Sequence, residues 1–398
     1  MSAPEYPEVK LRPKANARAI RRGNPWVYAD ELVTDRRTKA LKPGSFARLI
    51  DGERRFVALV TVNPESKIIA RVMDRAREAV IGADWIAKRI GHAQDLRAKL
   101  FDAPFYRLVH AEADGLPGLI IDRFGDLAVV QPNAAWSDVH IDDIAAALQS
   151  VCGVKTLVKN SGGRTRALEG LDDASSVLVG QVNGPVPVPM NRATYLADVQ
   201  TGQKTGLFFD QRPNHAFLAN CAKGADVLDV FSHVGGFGLA ALANGAQSAI
   251  CVDGSEAALA LAEKGGLETG VSERLQTRRG DAFDVLDSLK SEGAKFDVVV
   301  CDPPAFAPNK SALESGMRAY ERVARMATPL VKPGGLLMLC SCSHAVDLVR
   351  FRGACTRGIG RAGGQATLIY TGFAGPDHPQ LPQLPESGYL KSLAFMVR

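Results

Sequence analysis

The feature that most constrains the fold is a regular alternation of strand-like and helix-like segments from about residue 191 onward. Each apolar run has the length of a buried strand and is followed by a longer stretch with helical periodicity. Four such runs lie at residues 227–231, 248–253, 296–302 and 335–340. This alternation is typical of a doubly wound sheet, in which helices cover both faces. We therefore predict an α/β fold of the Rossmann-like type over residues 191–398.

Two further blocks precede this region. In residues 1–75, short apolar runs such as 45–50 are separated by turn pairs, a pattern that favours a small barrel-like β domain. Residues 76–190 mix an amphipathic helix from about residue 84 to 100 with hairpin-like strands, which predicts a central α+β domain. This second block ends at the proline-rich residues 184–189, where we expect an extended connector.

The composition excludes several classes of protein. Of the 398 residues, 46% are apolar and 23% charged, as in ordinary globular proteins, and no run of eighteen apolar residues is present. The seven cysteines are odd in number and lack paired C-x-x-C spacing, which favours reduced thiols over disulfides or a zinc site. The N-terminus also lacks the layout of a signal peptide. We expect a cytoplasmic protein without a membrane anchor or a metal ion.

Charge is concentrated at one end of the chain. Residues 1–75 contain 16 lysines and arginines against nine acids, whereas the whole chain has a net charge of only +5. A basic N-terminal module suits a partner with a phosphate backbone, such as RNA. The alternative is a solvated basic face that binds nothing.

Three loops of the α/β region follow strands and carry glycine or acids. Residues 229–237 are glycine-rich, which allows the backbone to approach a ligand closely, although the spacing is not that of a dinucleotide fold. Asp253 ends the next strand, where an acid can bind ribose hydroxyls, and Asp281 follows a third strand near residue 276. Each loop taken singly is also compatible with a tight turn, and each acid with a helix N-cap.

Two later motifs carry the candidate chemistry. Asp302-Pro303-Pro304 forms a rigid turn that can hold a planar base, with Phe306 as a stacking face; the alternative is a purely structural loop. Cys342, between two serines after a strand, is a candidate nucleophile: a thiolate adds to carbon 6 of a pyrimidine and activates carbon 5 for methylation. An inert buried thiol is the alternative, and we predict that outcome for Cys340.

Together these motifs resemble one family over nearly the whole chain. It is the bacterial class I S-adenosylmethionine (SAM)-dependent 23S rRNA 5-methylcytosine methyltransferases of the RlmI type. The matching segments are residues 21–28 (entry of an RNA-binding PUA domain), 112–125 (central domain), and 205–212, 231–236, 302–304, 341–343 and 388–391 (methyltransferase domain).

The resemblance implies a PUA-like domain over residues 1–75, a central domain over 76–190 and a methyltransferase domain over 191–398. It implies SAM as cofactor and ribosomal RNA, 23S rRNA in particular, as partner; a homodimer stays open. Cys342 is implied as the nucleophile, with Asp302 on the target base. The implied cofactor-binding residues are Phe231, Ser232, Gly235, Gly236, Asp253, Asp281, Asp302, Gln203, Phe208 and Arg212.

The chain also departs from the pattern of related enzymes. Many RNA 5-methylcytosine enzymes carry a second cysteine after the proline of the Asp-Pro turn, which aids product release; here Ala305 follows Pro304. The base for product release is therefore unidentified. Two other functions stay open. One is methylation of an exocyclic amine on an RNA purine, since Phe306 follows the Asp-Pro-Pro turn as in amino-methylating enzymes. The other is a non-catalytic RNA-binding assembly factor.

Overall fold

The computed structural model describes residues 5–202 and 205–398. The chain divides into two compact units. The first comprises Met1–Gly184, Val199–Gly206 and Pro376–Ser387, and the second Pro185–Asp198, Leu207–Gly375 and Gly388–Arg398.

The first unit begins with a mixed five-stranded sheet. Its elements are β1 (Glu8–Lys10), α1 (Ala17–Arg21), β2 (Trp26–Val27), α2 (Arg36–Lys39), β3 (Ser45–Ile50), β4 (Phe56–Val62) and β5 (Ala70–Asp74). The strand order is β1-β3-β4-β5-β2. The strand predicted over residues 45–50 is confirmed as β3. Alternating residues of these strands pack into one apolar core that also takes in Ile20 of α1 and Leu32.

A second five-stranded sheet follows in the same unit. Its elements are α3 (Ala83–Ala98), β6 (Phe105–His110), β7 (Leu119–Phe124), β8 (Leu127–Pro132), α4 (Ala135–Val139), α5 (Ile141–Cys152), β9 (Thr156–Lys159), α6 (Arg164–Leu168) and β10 (Ser176–Val179). The strand order is β10-β9-β8-β7-β6. Helix α3 has the predicted extent, within two residues at its C-terminus. Helices α4 and α5 are separated at His140, which lacks helical ψ.

The second unit contains the predicted α/β alternation. Its elements are β11 (Val186–Met190), β12 (Ala193–Ala197), α7 (Arg212–Cys221), β13 (Asp226–Val230), α8 (Gly236–Ala243), β14 (Ser248–Asp253), α9 (Glu256–Thr269), β15 (Leu275–Arg279), α10 (Ala282–Ser291), β16 (Phe296–Cys301), α11 (Leu313–Ala327), β17 (Val331–Ser341), α12 (Leu348–Arg361), β18 (Ala366–Gly372) and β19 (Lys391–Val397). The proline-rich segment expected to be an extended connector is in fact strand β11, paired antiparallel with β12.

The main sheet of this unit has the strand order β15-β14-β13-β16-β17-β19-β18. The first five strands are parallel to their neighbours, and β19 runs antiparallel between β17 and β18. Strand β16 is central and reads Phe-Asp-Val-Val-Val-Cys, with five of the six side chains buried, as expected when helices cover both faces. Each large apolar side chain buried in this way stabilises the fold by about 1.5–3 kcal/mol. The carboxyl ends of the five parallel strands therefore meet at one edge.

No helix among residues 5–202 and 205–398 is both long and apolar enough to cross a membrane.

Candidate active site

The candidate site lies at the carboxyl edge of the main sheet. The loop 231–236 follows β13, Asp253 ends β14, Asp281 follows β15, Asp302 follows β16 and Cys342 follows β17. Because these five strands are parallel neighbours, their ends are adjacent. The structure places these residues on one edge, which is where α/β sheets bind ligands.

The loop after β13 turns sharply into helix α8. Phe231 and His233 have positive φ angles of 63° and 51°, and Gly235 follows with φ of 80°. The backbone N–H of Ser232 donates to the carbonyl of Val252 on β14 at 3.0 Å. A Cβ on Gly235 would lie 3.1 Å from a carbon of Leu239, so glycine suits both the angle and the space there. Left-handed angles at non-glycine residues are uncommon and frequently mark ligand-binding loops.

Asp253 joins this loop to the next strand end. Its carboxylate accepts hydrogen bonds from the backbone N–H of His233 at 2.9 Å and of Ser255 at 2.8 Å. The side chain is partly exposed, and each carboxylate oxygen has a second lone pair for a hydroxyl donor. Asp281 is the N-cap of α10 and accepts from Phe283 and Asp284 backbone N–H groups. The N-cap alternative therefore holds for Asp281, and a ligand contact there stays a prediction.

The segment before α7 contributes further predicted residues. The ring of Phe208 lies 5.0 Å from that of His233, and the guanidinium of Arg212 lies 5.5 Å from the ring centre of Phe209. Gln211, which sequence reasoning did not select, donates its amide Nε2–H to Asp302 Oδ2 at 2.8 Å. Gln203 lies outside the described residues.

The Asp-Pro-Pro loop and the cysteine loop are joined by Ser343. Its buried Oγ accepts a hydrogen bond from the backbone N–H of Ala307 at 3.0 Å and lies 2.7 Å from the hydroxyl of Tyr320. The backbone N–H of Asp302 donates to the carbonyl of Val230 at 3.1 Å. These hydrogen bonds connect the ends of β13, β16 and β17 near Asp302 and Cys342.

The cysteines of this edge differ in burial. Cys342 is partly exposed, whereas Cys340 is 1% exposed and its sulfur lies 3.1 Å from the hydroxyl of Ser392 on β19. Burial raises the pKa of Cys340 and of Cys301 far above the usual range of a thiol. The prediction that Cys340 has a packing role is confirmed. Cys342 is the thiol of this edge that a ligand can reach.

Phe306, predicted as a stacking face for a base, packs against neighbouring aromatic rings. The ring of Phe306 lies 5.0 Å from Tyr320 and 6.5 Å from Phe283. The guanidinium of Arg322 covers one face of Phe283 at 4.2 Å. Both phenylalanines are partly buried and pack against the apolar core, and stacking of Phe306 on a base stays a prediction.

Asp229 is a buried acid that sequence reasoning did not select as a site residue. Its Oδ2 accepts from the backbone N–H groups of Phe237 and Gly238 at 3.2 and 2.8 Å, while its Oδ1 is buried without a hydrogen-bond partner among the described residues. Burial, reinforced by the charge of Asp253, raises the pKa of Asp229 to about 7. A buried acceptor at the start of the glycine loop, with Asp253 beside it, fits the amino and ribose groups of SAM.

Lys391 was also missed, although it belongs to the segment 388–391. Its side chain is 4% exposed, and its ammonium donates to the carbonyls of Ser343 at 2.8 Å and Val346 at 2.7 Å. Both partners lie in the loop that follows Cys342. This contact depends on the antiparallel pairing of β19 with β17. The spacing of residues in the sequence therefore could not have predicted it.

Comparison with known families agrees with this geometry. A family model described as a PUA-like domain matches residues 9–75, and one described as an S-adenosylmethionine-dependent methyltransferase matches residues 164–353. The fold and the site are those of a SAM-dependent methyltransferase that carries a PUA-like domain, and SAM is its cofactor.

Curated relatives define the family more closely. The chain is 32% identical over 392 residues to a ribosomal RNA large subunit methyltransferase I from Erwinia tasmaniensis, covering 96% of this chain and 98% of the relative. The protein of the same name from Yersinia pestis is 32% identical over 390 residues, with the same coverage. The chain therefore belongs to the ribosomal RNA large subunit methyltransferase I family.

Solved structures share the fold over the whole length. A protein from Streptococcus mutans assigned as a SAM-dependent methyltransferase has a TM-score of 0.82 at 19% identity, with 98% of this chain and 100% of that chain covered. A methyltransferase-like protein crystallised with S-adenosylhomocysteine (SAH) has a TM-score of 0.83 at 20% identity, with the same coverage.

Proposed function

We propose that this protein methylates carbon 5 of a cytosine in ribosomal RNA, 23S rRNA in particular, through a covalent adduct with Cys342. The relatives named as large subunit rRNA methyltransferases support the RNA class, and the basic residues of the PUA-like region suit a phosphate backbone. An rRNA substrate also favours the cytoplasm as the place of action. The observation that carries the chemistry is the hydrogen bond from the Ala307 N–H to the Ser343 Oγ. It connects the Asp-Pro-Pro loop to the loop that contains Cys342.

The cofactor would lie along the ends of β13 and β14. Asp253 would accept from the ribose hydroxyls, and the loop 231–236 would present backbone amides at the start of α8. SAM supplies an electrophilic methyl group there and is released as SAH. Phe208 and Arg212, at the neighbouring segment, would close the same pocket, and Asp281 would border it.

The base would bind between Asp302 and Cys342. Because carbon 6 of a stacked base is not accessible to a side chain, the cytosine must be unstacked first. Asp302, held by Gln211, would hydrogen-bond the Watson–Crick edge of the base. The sulfur lone pair of the Cys342 thiolate forms a bond to carbon 6, and the electron pair of the carbon 5–carbon 6 double bond becomes available at carbon 5.

Product release completes the cycle. After carbon 5 has gained the methyl group, it loses its proton to a base. The remaining pair re-forms the double bond while the sulfur–carbon 6 bond breaks, which restores the thiolate. Cys301 is fully buried in β16, so it does not serve as this base.

A second candidate function is methylation of an exocyclic amine on an RNA purine. The rigid Asp302-Pro303-Pro304 turn suits it, and that chemistry needs no thiol. Phe306 packs against Tyr320 and Phe283, which leaves less of its ring free for a base than an open loop position would.

The test is methylation of unmodified 23S rRNA followed by base-resolved mass spectrometry. We expect 5-methylcytosine with the wild type and with Cys340→Ala, and none with Cys342→Ala, while calorimetry shows that Cys342→Ala still binds SAH. Turnover by Cys342→Ala would refute the covalent mechanism. A methylated purine would establish the amine reaction, and absence of SAH binding by the wild type would point to an assembly factor.

A further inference from the structure

Lys391 lies directly beside the loop that carries Cys342. It begins β19, where its backbone is the cross-strand partner of Ser341, one residue before the cysteine. Its ammonium then reaches the carbonyls of Ser343 and Val346, on the other side of the cysteine. The lysine therefore holds the loop from both ends of the segment 341–346.

The surroundings of Lys391 destabilise its charged form. Its side chain is 4% exposed, and both hydrogen bonds go to neutral carbonyl oxygens. Burial accordingly lowers the pKa of Lys391 to about 8, and this effect is opposed by the negative charge of a Cys342 thiolate and of Asp347. A buried ammonium without a carboxylate hydrogen-bond partner gains most from a nearby anion, because the low dielectric strengthens their attraction.

We propose that Lys391 is a positioning residue of the methyl-transfer reaction, whose buried ammonium fixes the loop after β17 and favours the thiolate form of Cys342. This inference rests on the proposed role of Cys342 as nucleophile. When the thiol ionises, the sulfur–hydrogen bond breaks, the proton passes to water and the electron pair stays on sulfur. The positive charge of Lys391 stabilises the negative charge on sulfur and so lowers the free energy of ionisation of Cys342.

Other titratable groups border the same loop. Tyr320 of α11 contacts Ser343, Asp347 is the N-cap of α12, Asp302 follows β16, and His344 is the next residue but one after the cysteine. The two carboxylates oppose ionisation of a thiol, whereas Lys391 and the protonated form of His344 favour it. A change at Lys391 alone leaves the others in place, which makes its contribution measurable.

The experiment measures alkylation of Cys342 by iodoacetamide from pH 6 to 10 in the full-length protein, resolved by peptide mass spectrometry. Three variants separate charge from hydrogen bonding. Lys391→Arg keeps both, Lys391→Gln keeps donors without charge, and Lys391→Met removes both. We expect the pH midpoint of Cys342 alkylation to rise by about one unit in the Gln and Met variants. At pH values below the midpoint, Cys342 should be alkylated about ten-fold more slowly than in the wild type. The Arg variant should retain the wild-type midpoint.

Two internal controls accompany these variants. Cys221 is exposed at the end of α7, and its midpoint should be the same in every protein. Lys332→Met removes a lysine from the opposite end of β17, where Asp226 and Asp297 pair with it, and should leave the Cys342 midpoint unchanged. Folding of each variant is checked by its circular dichroism spectrum, and the Gln variant retains donors for the two carbonyls.

A wild-type midpoint in Lys391→Gln would overturn the inference, because the lysine would then act through hydrogen bonds alone. An Arg variant shifted as far as the Met variant would overturn it as well. Alkylation requires no methyl transfer, so the two proposals fail separately. Turnover by Cys342→Ala refutes the nucleophile whatever the midpoints, whereas unshifted midpoints with an inactive Cys342→Ala refute only the role of Lys391.

Discussion

The backbone N–H of Ala307 donates a hydrogen bond to the buried Oγ of Ser343 at 3.0 Å, across 36 residues of sequence. Ala307 lies in the loop that begins with Asp302, and Ser343 follows Cys342 directly. One small side chain thus sets the distance between the residue proposed to hold the base and the residue proposed to attack it. Tyr320 fixes the hydroxyl from the other side at 2.7 Å.

Ser343→Ala should therefore slow methyl transfer about 10- to 100-fold, since loss of alignment by a fraction of an ångström is costly in a bond-forming step. The variant leaves a buried N–H without its acceptor, which lowers the free energy of unfolding by about 1–3 kcal/mol. Affinity for SAH should stay at the wild-type value. Single-turnover kinetics and calorimetry provide the two measurements.

Ser315→Ala is the matched control for this variant. Ser315 is exposed on α11, and its Oγ donates only to the carbonyl of Ala312 within the same turn. Its loss should change neither rate nor stability. An unaltered single-turnover rate in Ser343→Ala would contradict the positioning role of the serine.

Local features of the site follow from the sequence, whereas its long-range contacts do not. Asp253, Asp302 and Cys342 were predictable because each ends or follows an apolar run, and parallel strands place such ends on one edge. Ser343 and Lys391 were not, since their importance depends on partners that lie 36 and 48 residues away. These contacts arise from sheet order and from the antiparallel insertion of β19.

One local expectation was also wrong for a physical reason. The prolines 187 and 189 suggested a connector, but a strand of a two-stranded ribbon tolerates proline because only one edge of it is paired. The packing of Phe306 beside Tyr320 could not be predicted either, since it depends on the position of helix α11. An aromatic residue after a turn does not by itself reveal which side it faces.

Asp253→Asn should weaken SAH binding about 10- to 100-fold. The amide retains the shape but loses the charge and one acceptor oxygen, and hydrogen bonds to a charged acceptor each contribute about 1.5–3 kcal/mol. Calorimetry with SAH measures the effect. Asp284→Asn, at an exposed residue of α10, is the control and should bind SAH normally. Equal affinity of both variants would show that Asp253 only orders the His233 loop.

Asp229→Asn should change how stability depends on pH. The pKa of Asp229 is raised to about 7 in the folded state, so between about pH 4 and 7 the folded protein binds more protons than the unfolded one. Its free energy of unfolding therefore falls as pH rises through this window, by about 1–4 kcal/mol from this group. The asparagine variant lacks this loss, and its stability relative to wild type should increase from pH 4 to 7.

Urea denaturation at a series of pH values, without cofactor, measures this difference. Asp287→Asn changes an exposed carboxylate of α10 and should leave the pH dependence as it is in the wild type. A constant stability difference between Asp229→Asn and wild type across the window would mean that Asp229 is not the group responsible.

Arg18→Ala/Arg22→Ala should weaken RNA binding through the first sheet. Both arginines are exposed in and directly after α1, and none of the described carboxylates forms an ion pair with either. Cations without carboxylate partners release counterions when they meet phosphates, so losing two should reduce the slope of log affinity against log salt by about 1.5. Filter binding of a 23S rRNA stem–loop at several salt concentrations measures this slope.

Arg54→Ala/Arg55→Ala is the control. It removes the same charge from arginines already paired with Glu8 and Asp51, and should change the slope less. If the two double variants have equal slopes, the α1 surface is not the RNA contact.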